Sequence, residues 1–199
     1  MRIVVANTKG GSGKTTTSLF LATAAKQAGY NPIVLDTDAD TATAERWALQ
    51  AEKRDNPLPF PVTSANVLSL TRDYPHDLIF IDTPGEYGRM FNAAVEVADL
   101  VIVPASASAN DVSATWGVIE EIEKSKQPHA NLVVLLTRQL HGTKATREII
   151  EAFKNEGQPI VEFAIPLRES INQAYGTVPN PLYDYEHLWG ILAATYIAD

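Results

Sequence analysis

Short apolar runs alternate with segments of helical periodicity along the whole chain. Most of these runs are continuously apolar rather than alternating, which is typical of strands covered on both faces of a parallel sheet. They predict strands at residues 2–7, 32–36, 78–82, 100–104, 132–137 and 160–163, with a short seventh at 60–63. The segments between them predict helices at residues 14–28, 41–52, 87–97, 111–125, 144–155 and 185–197. Gly29 is expected to end the first helix, and Asn110 or Asp111 to cap the helix at 111–125.

The alternation of strands and helices predicts an α/β fold, with a mainly parallel twisted sheet flanked by helices on both faces. A chain of 199 residues is long enough for one sizeable core. Sixteen basic against 24 acidic residues give a net charge of −8, which excludes a uniformly DNA-coating surface but leaves a local basic patch open. Without cysteine there is no disulfide or thiolate chemistry. No signal peptide or membrane span is expected, and a cytoplasmic protein is the simplest interpretation.

The strongest chemical signal is a glycine-rich loop between the first strand and the first helix. Strand, glycine loop and helix form the context of a phosphate-binding P-loop, in which backbone N–H groups and the helix dipole face the phosphates. Lys14 would reach the β- and γ-phosphates, and the Thr15 hydroxyl would ligate Mg²⁺. The sequence therefore predicts a site for ATP and Mg²⁺, whose loop residues are Lys9, Gly10, Gly11, Ser12, Gly13, Lys14, Thr15 and Thr16.

Carboxylates follow two of the predicted strands. Asp36 and Asp38 end one strand, and Asp82 ends another, where it is followed by Thr-Pro-Gly85. Ligands of open α/β sheets bind beyond the carboxyl ends of the strands, so we expect these groups beside the P-loop. Four apolar residues before Asp82 describe a Walker B strand, whose carboxylate holds the Mg²⁺ shell. Gly85 is predicted to bring a backbone N–H close to the γ-phosphate.

The loop departs from the common pattern, with Thr8 in place of the first glycine and a second lysine, Lys9, after it. This form resembles the deviant Walker A family of partition and positioning ATPases, the ParA, Soj and MinD group. The resemblance implies an ATP-dependent homodimer, or a longer polymer, in which Lys9 contacts the phosphates of the partner's ATP. It implies slow hydrolysis of ATP to ADP and phosphate.

The Asp-x-Asp pair resembles the same family, in which the second carboxylate positions the attacking water and the first supports the lysine and the metal. Asp38 would then carry hydrolysis, while Asp36 and Asp82 would serve the metal. Many relatives continue with Pro-Gln, whereas this chain has Ala39 and Asp40. Asp40 therefore remains a rival for the water or a cap for the next helix.

The resemblance extends over nearly the whole chain, closest to short plasmid partition ATPases of the ParF type. It implies a single ATPase domain over residues 1–199 without an N-terminal helix-turn-helix extension. Thr137, Arg138 and Pro166 would be base or dimer contacts, although a strand end with a solvated arginine remains a simpler interpretation of the first two. Residues 165–168 and 176–181 resemble the segment that closes over adenine.

Partition ATPases of this kind bind nonspecific DNA in the ATP state and are stimulated by a ParB-like centromere-binding partner. Such a role predicts association with the nucleoid. A basic patch could supply the phosphate contacts, although a solvated helix face is the simpler interpretation; its members would be Arg138, His141, Lys144, Arg147, Lys154 and Arg168.

Three alternatives keep the same fold. A ParA-like ATPase could position a cargo other than DNA, and sequence separates this poorly from DNA partition. A MinD-like membrane role would need a basic amphipathic C-terminal helix, but residues 188–199 contain no Lys or Arg. A P-loop metabolic ligase would need a small-molecule pocket, for which the sequence offers no recognisable set of residues.

Overall fold

The sheet is wholly parallel, and its strands follow the predicted runs. The computed structural model describes residues 1–106, 108–139 and 143–197, with only the backbone of Ala109 and Asn110. Within them the strands are β1 (Arg2–Val5), β2 (Pro32–Asp36), β3 (Val62–Ser64), β4 (Leu78–Asp82), β5 (Leu100–Ala105), β6 (Asn131–Gln139) and β7 (Ile160–Pro166). Their order is β3-β2-β4-β1-β5-β6-β7. The predicted α/β fold is confirmed, and every pairing is parallel.

Helices connect successive strands. They are α1 (Lys14–Gln27), α2 (Thr43–Lys53), α3 (Val67–Leu70), α4 (Arg89–Glu96), α5 (Ala109–Ser125), α6 (Lys144–Asn155), α7 (Glu169–Gln173) and α8 (Asp184–Leu192). The short helices α3 and α7 were not predicted, because four or five residues are too few to establish a helical period. Regular α-helix ends at Leu192, and residues 193–197 continue in π-helical geometry rather than in the α-helix predicted to 197.

The predicted cap of α5 is wrong. The N-cap is Ser108, whose side chain accepts a hydrogen bond from the Asp111 N–H at 3.2 Å. The helix therefore begins earlier than predicted, at Ala109. Asp111 lies inside the first turn, and this position frees its carboxylate for another contact. At the first helix, Gly29 follows the C-cap with φ +95° and ends it as predicted.

The continuous apolar runs are explained by two cores, one on each face of the sheet. In β5, Leu100 and Ile102 pack in the core under α1, α2 and α8, whereas Val101 and Val103 pack in the core under α4, α5 and α6. Successive strand side chains point to opposite faces, so a strand covered on both must be apolar throughout. In α8, Leu188, Trp189 and Leu192 are part of the first core and are nearly fully buried, whereas Ile191 is exposed.

The register places the acidic strand ends side by side. β1 lies in the middle of the sheet between β4 and β5. Val5 pairs with Asp82, and Asp36 pairs with Asp82, so three strands end at one level. The loop from β1 to α1 starts at this edge, with the ends of β4 and β2 on one side of it and those of β5 and β6 on the other. This is the edge at which ligands bind in open α/β sheets.

Candidate functional site

A cavity of about 570 Å³ opens at the carboxyl edge of the sheet, and the glycine loop forms one wall of it. Gly11 and Gly13 have φ of +73° and +96°, a left-handed conformation that other residues rarely adopt. These turns lead the loop to the first residue of α1, Lys14, so that the N-terminus of the helix faces the cavity. The first N–H groups of a helix have no intrahelical acceptor, and they make this end suited to an anion.

Lys14 supplies the cation of this cavity. Its Nζ donates to the carbonyl oxygen of Lys9 at 3.4 Å. Burial lowers the pKa of Lys14, while the nearby carboxylates of Asp82 and Asp38 oppose this shift. A Cβ atom added to Gly85 would lie 3.6 Å from the Lys14 ammonium nitrogen. Gly85 thus lies beside the Lys14 ammonium, and its predicted approach to the γ-phosphate stays a prediction.

Thr15 and Asp82, both predicted metal ligands, contact each other beside the cavity. The Thr15 hydroxyl donates to Oδ2 of Asp82 at 2.6 Å. Oδ1 of Asp82 is buried without a hydrogen-bond partner among the described residues. Burial raises the pKa of Asp82 to about 7, opposed by the Thr15 hydrogen bond. An orphaned carboxylate oxygen beside a hydroxyl is a donor set that fits Mg²⁺.

Asp36 has other contacts. Its Oδ1 accepts from the N–H of Asp38 at 3.1 Å, and its Oδ2 accepts from the N–H of Glu45 at 3.0 Å. Burial raises the pKa of Asp36, and these hydrogen bonds oppose the shift. Glu45 lies in the first turn of α2, so Asp36 ties that helix to the loop that carries Asp38. The contacts describe an anchor, and the predicted metal role of Asp36 stays a prediction.

Asp38 and Asp40, the two candidates for orienting the attacking water, both lie in the wall of the cavity. Oδ1 of Asp38 accepts from the N–H of Thr41 at 3.0 Å, and the side chain is half-buried. Asp40 is exposed. The fixed position of Asp38 near Lys14 favours it over Asp40, although the lining of the cavity includes both.

Lys9 points away from this cavity. Its ammonium forms an ion pair with Oδ1 of Asp111, on the first turn of α5, and the Ser106 hydroxyl donates to Oδ2 of the same carboxylate. Asp111 is 7% exposed. The pair lies in a second cavity of about 340 Å³ on the other side of the loop. Sequence reasoning missed Asp111 as a partner because the helix boundary made it a cap.

The remaining predicted contacts separate into two groups. Thr137, Arg138 and Pro166 line the main cavity, and its apolar side is formed by Ile165, Pro166, Leu167, Ile171 and Tyr185. Thr137 and Arg138 also donate to carbonyl groups of the glycine loop, a contact that the resemblance did not imply.

Residues 176–181, expected to close over the base, are not part of the cavity lining. They rest instead on α2, where Trp47 Nε1 donates to the Thr177 carbonyl at 2.7 Å and Arg54 donates to the Gly176 carbonyl at 3.0 Å. The expectation is corrected on this point.

Three cations of the predicted basic patch have acidic partners. Lys144 pairs with Glu148 at 3.0 Å, Lys154 with Glu162 at 2.9 Å, and Arg168 with Asp184 at 3.2 Å. His141 lies outside the described residues. Local pairing reduces the positive potential that these side chains offer to a polyanion.

Residues 3–178 match the family described as the CobQ/CobB/MinD/ParA nucleotide binding domain. Protein ParA of Rhizobium radiobacter is 31% identical over 114 residues, 56% of this chain and 51% of the relative. The matched region thus spans about half the length of that relative. Chromosome-partitioning ATPase Soj of Thermus thermophilus is 25% identical over 76% of this chain and 74% of the relative. Maintenance of carboxysome distribution protein A of Halothiobacillus neapolitanus is 25% identical over 83% of this chain and 79% of the relative.

Solved structures share the fold. A Cyanothece McdA variant in complex with ATP superposes with a TM-score of 0.75 at 20% identity, over 100% of this chain and 97% of that one. Cobyrinic acid a,c-diamide synthase of Mycobacterium smegmatis, with bound ADP and magnesium, gives 0.70 at 19% identity over 96% and 94%. Within the described residues, no helix has the length and apolar character to cross a bilayer. The chain belongs to the CobQ/CobB/MinD/ParA family of nucleotide-binding domains.

The buried Asp82 carboxyl leads to a pH-dependent prediction. Because the folded-state pKa of about 7 lies above the ordinary value of 3.8, the folded protein loses stability as pH rises from about 4 through 7. Asp82→Asn removes this titration, so its gain in free energy of unfolding should be larger at pH 8 than at pH 5, by on the order of 2 kcal/mol. Urea unfolding in EDTA without nucleotide measures the difference. The exposed Asp73→Asn is the control, and an equal gain at both pH values would contradict the raised pKa.

Proposed function

We propose that this chain is an ATP- and Mg²⁺-dependent switch that pairs with a second copy of itself and positions a large cellular cargo, in the first place DNA. The observation that carries the proposal is the place of Lys9. This second loop lysine is held by Asp111 in a separate cavity, whereas the other loop lysine, Lys14, lines the nucleotide cavity. The fold does not decide the function, because a diamide synthase shares it.

Because Lys9 does not line the nucleotide cavity of its own chain, it is available to the nucleotide site of a second copy. Lys9 begins the loop and its side chain remains 48% exposed beside Asp111. In the proposed pair, each Lys9 leaves Asp111 and contacts the phosphates of the nucleotide held by the other copy. Phosphoryl transfer develops charge on the β- and γ-oxygens, so a cation from the partner couples turnover to assembly.

Within one copy, different residues bind the phosphates, hold the metal and orient the attacking water. The glycine loop and Lys14 bind the phosphates, Thr15 and Asp82 hold the metal, and Asp38 orients the attacking water. Mg²⁺, when bound, neutralises charge on the phosphate oxygens. Turnover is slow on its own and rises with a partner protein of the ParB type, because a switch requires a long-lived bound state.

Lys14→Ala is expected to abolish ATP binding, since it removes the cation of the cavity. Isothermal titration of ATP with Mg²⁺ measures the loss. Lys26→Ala, a partly exposed lysine in the last turn of the same helix, should bind ATP like the wild type. Unchanged affinity in Lys14→Ala would contradict the nucleotide site.

Asp38→Ala should bind ATP, lose turnover and accumulate as a dimer, because the water is no longer oriented while the phosphate contacts persist. Size-exclusion chromatography with light scattering, with and without ATP, detects the dimer, and phosphate release measures turnover. Asp40→Ala is the matched variant and should retain turnover. The opposite result would move the role from Asp38 to Asp40.

The Lys9–Asp111 pair is expected to oppose dimerisation, because the lysine cannot serve both sites. Asp111→Asn should lower the protein concentration needed for the ATP-dependent dimer by roughly tenfold, about 1.4 kcal/mol. Lys9→Ala should bind ATP but fail to dimerise and to hydrolyse it. For scale, an arginine supplied by a partner protein raises the hydrolysis rate of GTPases by roughly 10³–10⁵.

Sedimentation equilibrium in the Asp38→Ala background measures the dimerisation of both variants, with the partly exposed Glu121→Gln on α5 as the control. Weaker dimerisation of Asp111→Asn, or normal dimerisation of Lys9→Ala, would contradict the proposed exchange of partners.

A cargo other than DNA is the second candidate, and it is favoured by the likeness to the carboxysome distribution protein and by the acidic partners of the basic residues. DNA co-sedimentation of the ATP-bound Asp38→Ala protein across a salt series separates the two. Binding to DNA that weakens steeply with salt supports the first candidate. Failure to bind DNA even at low salt supports the second.

A further inference from the structure

We infer that Thr137 and Arg138, at the end of β6, are positioning residues that hold the glycine loop ready for phosphate. They act through two loop carbonyl groups rather than by touching the base. This inference rests on the nucleotide site proposed above and assigns these residues a role in it. Its basis is a pair of hydrogen bonds that cross from β6 to the loop over more than a hundred residues of sequence.

Thr137 holds the peptide between Ser12 and Gly13. Its buried hydroxyl donates to the Ser12 carbonyl oxygen at 2.8 Å and lies 3.4 Å from the Ala105 carbonyl oxygen. The C=O and N–H of a trans peptide point in opposite directions. When the Ser12 carbonyl is directed back to β6, the N–H of Gly13 is therefore directed away from it, to the cavity side of the loop. A Cβ on Gly13 would come within 3.7 Å of this hydroxyl, so the contact is close.

Arg138 holds the preceding peptide in the same way. Its Nη1 donates to the Gly11 carbonyl oxygen at 2.9 Å, which directs the N–H of Ser12 away from β6. The backbone of Arg138 has φ +58°, in the left-handed region that a residue with a Cβ rarely adopts. Such strained residues persist at functional sites where the surroundings determine them. Here the strained backbone accompanies the turn of the guanidinium onto the loop.

Together the two contacts leave the donors of Ser12 and Gly13 on the cavity side. Among the described residues, the N–H groups of Ser12 and Gly13 have no acceptor, and the Ser12 hydroxyl is buried without a partner. If either peptide turned over, a carbonyl oxygen would face the phosphate and repel it. Thr137 and Arg138 prevent this in advance, so the loop does not reorganise when phosphate enters. Preorganised donors bind a charge more tightly than mobile ones.

A phosphate-positioning role and a base contact predict different nucleotide dependence. Thr137→Val keeps the shape of the side chain and removes the donor; Arg138→Met removes the guanidinium. Each variant should lower the affinity for ADP and for pyrophosphate by the same factor, roughly tenfold, because both ligands accept hydrogen bonds from the same N–H groups. The preference for ATP over GTP should not change, since neither variant alters the base wall. Isothermal titration with Mg²⁺ measures all four ligands.

Two controls isolate the donors. Thr137→Ser restores the hydroxyl and should recover most of the affinity for pyrophosphate. Lys124→Met, at the far end of α5, removes one positive charge away from the site and should leave all affinities unchanged. Thermal unfolding without ligand verifies that each variant is folded before titration.

The outcomes are distinct. A wild-type protein that binds neither ADP nor ATP contradicts the proposed function itself. If the wild type binds and both variants match its pyrophosphate affinity, only the positioning role is wrong. Loss of ADP affinity with unchanged pyrophosphate affinity, or a changed ratio of ATP to GTP, would instead identify Thr137 and Arg138 as base contacts and overturn the inference.

Discussion

A loop that offers only N–H groups to a phosphate must direct its carbonyl oxygens into the protein, where each of them needs a donor. In this chain the donors for the loop centre come from another part of the sheet edge, Thr137 and Arg138 at the end of β6. The entry of the loop is fixed by Asn7, which accepts from the Lys9 N–H at 2.9 Å and donates to the Pro104 carbonyl at 2.7 Å. The glycines permit the turns, but these donors select one conformation among those that glycine allows.

The parallel register brings these donors to the loop. Strands that end at one level place their following residues around a single cavity, so residues distant in sequence become neighbours. The same register places Asp36 beside Asp82, where its negative charge adds to burial in raising the pKa of Asp82. The Lys14 ammonium opposes this shift. The site is therefore tied to the sheet, and the two apolar cores that fix the sheet also fix the geometry of the site.

The fold and most of the cavity lining could be predicted from sequence because their signals are local. A continuous apolar run indicates a strand covered on both faces, and a glycine loop between a strand and a helix indicates a phosphate-binding site. Three contacts could not be predicted in this way: that of Lys9 with Asp111, that of Thr137 with Ser12, and that of residues 176–181 with α2. Asp111 lies 102 residues from Lys9, and Thr137 lies 125 residues from Ser12, so only the assembled sheet makes them neighbours. The cap of α5 was misassigned for a local reason: Ser108, Asn110 and Asp111 are all good N-cap residues, and spacing alone does not choose among them.

The ion pair of Lys9 and Asp111 has an energetic consequence for any mechanism that moves the lysine. A carboxylate that is 7% exposed loses much of its hydration, so its charge depends on the ammonium and on the Ser106 hydroxyl. When Lys9 leaves, one hydrogen bond from Ser106 remains beside a buried charge. The lysine therefore leaves readily only when the phosphate charge of another site replaces Asp111 and when water or another cation reaches the carboxylate. In the proposed pair, two copies that exchange their lysines would meet the first condition symmetrically. The contact that keeps the lysine in place in one copy would then make its release depend on a nucleotide held by the other.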